Sequence, residues 1–399
     1  MTIRADARRS SGEPSTVSLY CLLLAWGFCA VVELGSIMLA VVAVTNRGRL
    51  VAAVGLSLGI AVLAWCSVWA RGSTGWRRVG WLALAGLAVS VVGFCWPMNQ
   101  SVAHGRGRVL VLNDDGSPYQ PRWAPWNWVP EVDQLMVAFT VVPALDPLFT
   151  TTQSIRLKHW TAEVYRDAAS DPEFAGMQSA MGTVFSDLFF SAADRSASPV
   201  FVYVPAGIDV RKPQPVLLFF HGSGGNLQGY FRILCCVAER AKFVVVAPSN
   251  GMGNWRGSAS RIALERGLSA AQRVCAVDRE QLHLVGLSNG GLGLGRFVVG
   301  GSRPLRSLVW ISPVIEPRNV LTREFADHGR GARMLFLTGA VDDRVSAAGV
   351  TESVVALKAS GLDATVEVVP GADHFLLFSH RVMVEERLVE WFGPPAGVE

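Results

Sequence analysis

Three long apolar runs open the chain, at about 17–44, 50–70 and 79–96. A helix needs about 20 mostly apolar residues to cross the roughly 30 Å of bilayer hydrocarbon. A helix buried in a soluble protein seldom stays apolar on every face for so long. The runs therefore predict three transmembrane helices within a membrane region 1–97. A cleaved signal peptide does not explain them, because its apolar core is about 7–15 residues and two further runs follow the first. Of the 399 residues, 50% are hydrophobic and 17% charged, against about 25% charged in typical soluble chains. That composition argues against disorder and against a wholly soluble protein. The 36 basic and 32 acidic residues leave a formal charge of +4. No basic cluster is interleaved with aromatics, so no nucleic-acid partner is expected.

Arginines orient the region. Arg4, Arg8 and Arg9 precede the first run, and Arg71, Arg77 and Arg78 separate the second from the third; Arg47, Arg49, Arg106 and Arg108 lie on the opposite side. Positive charge favours the cytoplasmic side, so the chain after about residue 97 is expected outside. Arginine-rich, lysine-poor usage fits a GC-rich bacterial genome, and the expected location is a bacterial cell membrane crossed several times. Glu33 is a costly carboxylate within the first run. It is expected to face a partner helix or a water pocket, to be protonated, or to lie beyond the true span. Cys21, Cys29, Cys66 and Cys95 sit in the runs, and Cys235, Cys236 and Cys275 sit later. No spacing suits zinc. Buried thiols are expected, with one disulfide to Cys275 as the alternative.

Residues 98–198 read as a joining region. The stretch 109–112 before Asn113-Asp114-Asp115-Gly116 predicts a strand and turn. Trp123, Trp126 and Trp128 precede a short apolar stretch, 135–142, bounded by Pro130 and Pro143. It is too short to span a bilayer and reads as a membrane-surface element, a core strand or a lid. Two helices are expected within 158–190, around Pro172.

From 199 to 393 strands alternate with helices, before a short tail, 394–399. Strands are expected at 200–204, 216–220, 243–247, 282–285, 305–311, 334–337 and 365–369, and helices at 229–241, 258–274, 292–299, 347–360 and 375–392. Such alternation means βαβ units and a mainly parallel sheet with helices on both faces. Chemistry in such a sheet sits beyond the carboxyl ends of its strands, so a catalytic candidate should follow a strand directly.

Four segments do. Gly286-Leu287-Ser288-Asn289-Gly290 follows a strand and precedes a helix, as a G-x-S-x-G nucleophile elbow requires. Gly55-Leu56-Ser57-Leu58-Gly59 fits the same pattern inside the second apolar run, where it reads as a small-residue helix contact. His221-Gly222-Ser223-Gly224-Gly225-Asn226 lets backbone approach a substrate closely. Its oxyanion donors are expected to be the N–H of Asn289 and one from Ser223 or Gly224. His221 reads as a brace of that loop, and also as a pocket candidate. Gly339-Ala340-Val341-Asp342-Asp343-Arg344-Val345 carries two carboxylates able to orient a histidine. Asp342 is favoured because it comes first after the strand, with Asp343 expected to pair with Arg344. Gly371-Ala372-Asp373-His374-Phe375 supplies the base, and the order Ser, Asp, His is complete. His104, His159, His283, His328 and His380 read as structural. The loop 248–257 is expected to line the substrate pocket, with Trp255 as acyl-pocket wall or as core.

These motifs resemble the α/β-hydrolase superfamily over about half of the chain. FVYVPAG, HGSGGN, GLSNGG and GADHF are similar to the esterase branch that holds polyhydroxyalkanoate depolymerases and feruloyl esterases, and GAVDDRV resembles the acid loop of prolyl-oligopeptidase-like hydrolases. The resemblance implies Ser288 as nucleophile, Asp342 as acid and His374 as base, with no metal and no cofactor. It implies an esterase acting on an ester-containing substrate, lipid or polymeric, and the three apolar runs add the expectation that it is membrane-anchored. The alternatives are an acyltransferase with the same triad, a serine peptidase, and a non-catalytic binding domain.

Overall fold

The structure, a computed structural model, describes residues 16–71, 74–95, 107–121, 125–190, 198–301 and 304–393. Arg4, Arg8, Arg9, His104, Arg106, Trp123 and the tail 394–399 lie outside them. The chain divides into two compact units, Met1–Met98 and Asn99–Glu399.

The first unit holds three helices where three were expected: α1 (Thr16–Val42), α2 (Asn46–Arg71) and α3 (Thr74–Cys95). α2 packs against both of the others. A side chain at Gly55 would run into Ser36 of α1, and one at Gly59 into the Glu33 carboxylate. The glycines of the false elbow thus let α1 approach, as small residues do between packed helices, and Glu33 faces the partner helix. Among the described residues one stretch, Asn46–Cys66, is long and apolar enough to cross a membrane, and Trp26–Val42 is a shorter apolar helix.

The second unit is built on one eight-stranded sheet: β1 (Arg108–Leu112), β2 (Val200–Val204), β3 (Gln214–Phe220), β4 (Val244–Pro248), β5 (Val277–Leu287), β6 (Ser307–Ile311), β7 (Arg333–Gly339) and β8 (Asp363–Val369). Their order is β1-β2-β4-β3-β5-β6-β7-β8. β1 and β2 run antiparallel, and β3 to β8 are parallel. The strand expected after residue 108 therefore belongs to this sheet, as its edge, rather than to a separate joining element.

Period-two alternation sends successive side chains to opposite faces. Leu218, Phe220, Trp310 and Phe336 build one core. They pack with helices α9 (Ala259–Val274), α10 (Gly290–Val299), α12 (Arg323–Gly329) and α13 (Ala347–Ala359). Leu217, Phe219, Val309 and Leu335 build the other. There they meet α5 (Thr151–Ala169), α8 (Gln228–Ala241) and α15 (Arg381–Phe392). Trp310 and Phe336 stack with centroids 4.3 Å apart. The expected helix 375–392 is broken at His380 into α14 (Leu376–Ser379) and α15. α11 (Pro317–Val320) and α12 were not anticipated.

The stretch 135–142 is not a strand but the middle of α4 (Glu131–Leu145), with Leu135 and Met136 buried. Pro143 deprives the carbonyl of Phe139 of its helical N–H, and the Ser154 hydroxyl of α5 donates to it instead, at 2.5 Å. A capping box at Thr150 and Gln153 starts α5, as the reciprocal pairing of side chains and backbone allows. α6 (Pro172–Ala175) and α7 (Met181–Phe190) complete the segment. It is pinned to the domain by Glu131, which accepts from the Gln228 N–H at 2.6 Å and from the hydroxyls of Tyr165 and Ser179. Burial pushes this carboxyl up, while the three donors pull it back. Cys29, Cys66, Cys235, Cys236 and Cys275 are free thiols, so the alternative of a disulfide to Cys275 is corrected.

Phe336→Ala removes the partner of Trp310 from a sealed core and is expected to cost about 3–5 kcal/mol, read as a lower denaturant midpoint for the second unit at unchanged slope.

Candidate active site

Ser288 closes the turn between β5 and α10 with φ 49°, a left-handed backbone that non-glycine residues seldom adopt. The turn exists because its flanks lack side chains. A Cβ on Gly286 would lie 2.7 Å from the Gly290 carbonyl oxygen, and a Cβ on Gly290 would strike the carbonyl of Phe220. The Ser288 N–H donates to Ile311 at 2.9 Å, and its carbonyl accepts from Val314 at 3.0 Å. The neighbouring strand β6 and the loop after it thus hold the strained turn from both sides.

His374, in the turn after β8, lies with Nε2 2.9 Å from Ser288 Oγ. Its Nδ1 is 2.9 Å from Asp342 Oδ2 and 3.2 Å from Oδ1. The Asp342 side chain has no exposed surface. Its Oδ1 also accepts the N–H groups of Arg344 at 2.9 Å and Val345 at 2.8 Å. A carboxylate at Nδ1 places the ring proton there and leaves Nε2 to accept from the hydroxyl. A hydroxyl, an imidazole and a buried carboxylate in that line have the polarity that activates an oxygen nucleophile. Residues 288, 342 and 374 are thus brought together from the ends of three strands.

The second aspartate goes elsewhere. Asp343 Oδ2 accepts from Gln153 Nε2 at 3.0 Å, and Arg344 pairs with Asp146 at 2.8 Å. The expected pairing of Asp343 with Arg344 is therefore replaced by two links from the acid loop to the α4–α5 hairpin.

Around the proposed oxyanion position, the N–H groups of Asn289 and Ser223 have no acceptor among the described residues. That of Gly224 is taken by the Met252 carbonyl at 3.2 Å, which removes Gly224 from the candidate donors. His221 does not line the pocket, being fully buried. Its Nε2 accepts the Asn250 N–H at 3.0 Å, so Nδ1 carries the proton and donates to the Gly222 carbonyl at 2.9 Å. It joins two loops, as a brace. Trp255 is 1% exposed. Its indole N–H donates to the His221 carbonyl at 2.9 Å, and its ring packs edge-on against Phe220. It is core, outside the cavity at Ser288.

That cavity, about 370 Å³, opens on Ser288 and His374 between Val142, Phe149, Tyr230, Met252, Phe375 and Phe378. Sequence reasoning named the loop 248–257 that holds Met252, but none of these residues individually. Met252 lies three residues from Trp255 in the loop that was singled out, and Val142 and Phe149 come from the hairpin, which has no motif. The other histidines among the described residues sit apart. His159 pairs with Glu163 on α5, His283 with Ser307, and His380 with Ser379. His328 contacts the Val298 and Val299 carbonyls.

No protein-family model and no curated protein matches the chain. Solved structures similar to it include esterases and serine hydrolases. An arylesterase shares 13% identity over 49% of this chain and 77% of its own, with a TM-score of 0.40. A fluorophosphonate-binding serine hydrolase of Staphylococcus aureus shares 17% over 49% and 91%, at 0.40. An esterase of Pyrobaculum calidifontis shares 16% over 49% and 78%, at 0.39.

Burial pushes the imidazoles of His221 and His283 down to about 4, below the usual 6.5 or so of an unfolded chain. Between those values the unfolded chain binds more protons, so stability rises with pH across this window and is lost as pH falls through it. One such histidine accounts for about 3 kcal/mol. Unfolding free energy measured from pH 7 to pH 4 should fall steeply in the wild type and less steeply in His283→Gln.

Proposed function

We propose that the chain is a membrane-anchored serine hydrolase that cleaves carboxylic esters through an acyl-enzyme. The observation that carries this reading is the line Ser288–His374–Asp342 at the mouth of an apolar cavity. In the proposed reaction Ser288 Oγ attacks the ester carbonyl while His374 Nε2 takes its proton. Asp342 stabilises the imidazolium, and the N–H groups of Asn289 and Ser223 receive the oxyanion. The leaving alcohol takes the proton from His374. Water, activated by the same imidazole, then releases the acid. The chamber walls, mostly aromatic and aliphatic, suit an acyl chain or another apolar arm of the ester.

The same reading has all three N-terminal helices in the bilayer and the second unit on the outer side. It is supported by large apolar side chains turned outward on α1 (Leu24, Phe28, Val31, Val41) and α3 (Leu82, Val89). Such outward apolar faces suit lipid rather than water.

Ser288→Ala is expected to abolish both hydrolysis of a short acyl aryl ester and labelling by a fluorophosphonate, with folding retained. Asp342→Asn should lower kcat by about 10⁴-fold and Asp343→Asn by only a few-fold; the reverse ranking would move the acid to Asp343. For topology, a phosphatase fused to the C-terminus should be active in intact cells, and a fluorescent protein there dark if exported unfolded. The opposite pair of results would place the domain inside.

A further inference from the structure

We propose that the Asn289 side chain is a positioning residue that sets the spacing of the two backbone N–H groups receiving the oxyanion. The proposal rests on the serine-hydrolase reading above. Asn289 Nδ2 donates to Ser223 Oγ at 2.7 Å. The two residues stand at the ends of adjacent parallel strands, β5 and β3, paired through Val285 with Phe219 and Gly286 with Phe220. Their loops therefore leave the sheet side by side, and the side-chain bond spans the gap between the two free N–H groups.

The use of this side chain is unusual for its place. Asn289 occupies the N-cap of α10, where an asparagine ordinarily turns its oxygen back to a backbone N–H of the first turn. Here it makes no capping bond and reaches across to the neighbouring loop. That loop needs a tie. Ser223 sits among Gly222, Gly224 and Gly225, with φ of 92° at Gly224 and 109° at Gly225, and glycine runs hold a fixed geometry poorly. Gly224 is anchored on its far side by Met252, which leaves the Ser223 N–H to be fixed from the elbow side.

An exposed hydrogen bond adds little to stability. Its value lies in geometry, because an oxyanion donor acts only when it is about 2.7–3.1 Å from the developing charge. Losing one donor outright costs about 10²–10³ in kcat, so loosening one is expected to cost about 10- to 100-fold.

The test uses the full-length protein in detergent, with rates divided by the concentration of fluorophosphonate-reactive sites. Asn289→Ala keeps the backbone N–H and removes the tie. It should lower kcat for a short aryl ester about 10-fold or more with KM little changed, and weaken a trifluoromethyl ketone inhibitor in parallel. Ser223→Ala should do the same, the double variant should lose no more than either single one, and Ser223→Thr, which keeps the hydroxyl, should retain most activity. An Asn289→Ala enzyme with wild-type kcat, or losses that multiply in the double variant, would overturn the proposal. Ser288→Ala measured alongside separates the two levels: if it stays active, the hydrolase reading itself fails, whereas an inert Ser288→Ala beside a fully active Asn289→Ala rejects the tie alone.

Discussion

A left-handed serine backbone costs about 1–3 kcal/mol wherever it occurs, and in this chain the surrounding structure holds Ser288 there. Gly290 lies so close to the end of β3 that any side chain would collide with the Phe220 carbonyl. The elbow is thus pressed against the strand that leads into the Ser223 loop. One close approach brings the Ser288 hydroxyl to the top of the sheet and sets it beside the Ser223 loop. β6 contributes the other restraint through the Ile311 carbonyl. The two core layers matter to the site mainly because they keep β3, β5 and β6 in register beneath this turn.

Features that follow from local rules were legible in the sequence. Continuous apolar runs predict strands buried on both faces, and the strands of the parallel sheet appear where those runs stood: β3, β5, β7 and β8 are longer, β4 is displaced by one residue and β6 starts two residues later. Ser288, Asp342 and His374 were placed by the requirement that each follow a strand. Features that depend on what lies across the fold were not legible. The run 135–142 has the length of a strand and is flanked by prolines, yet Pro143 is accommodated in a helix because Ser154, from the next element, satisfies the carbonyl it orphans. Trp255 stood open between pocket wall and core because its loop borders the site; its ring packs against Phe220, while Met252 faces the chamber. Gly224 sits in the right motif, and only the position of Met252 shows that its N–H is occupied.

The N-terminal helices teach a related lesson. Hydropathy marked their positions, and Asn46–Cys66 among the described residues is long and apolar enough to span a bilayer. The glycine pattern that mimics an elbow in α2 is chemically silent there because no strand precedes it. Its glycines serve approach to Glu33 and Ser36 instead. The same five-residue pattern thus has two physical uses, and the element before it decides which.

The acid loop shows how neighbouring charges are kept from interfering. Asp342, Asp343 and Arg344 are consecutive, and a guanidinium on the Asp342 carboxylate would compete with the imidazolium for its charge. That does not happen, because Arg344 is drawn away to Asp146 and lies over the rings of Phe149 and Phe375. Asp343 is likewise occupied by Gln153. Asp342 is left with backbone N–H donors, which order a carboxylate without neutralising it, and with His374 as its ionisable partner. The α4–α5 hairpin therefore does more than wall the chamber. By taking up the two flanking charges it leaves the middle of the site to one carboxylate and one imidazole.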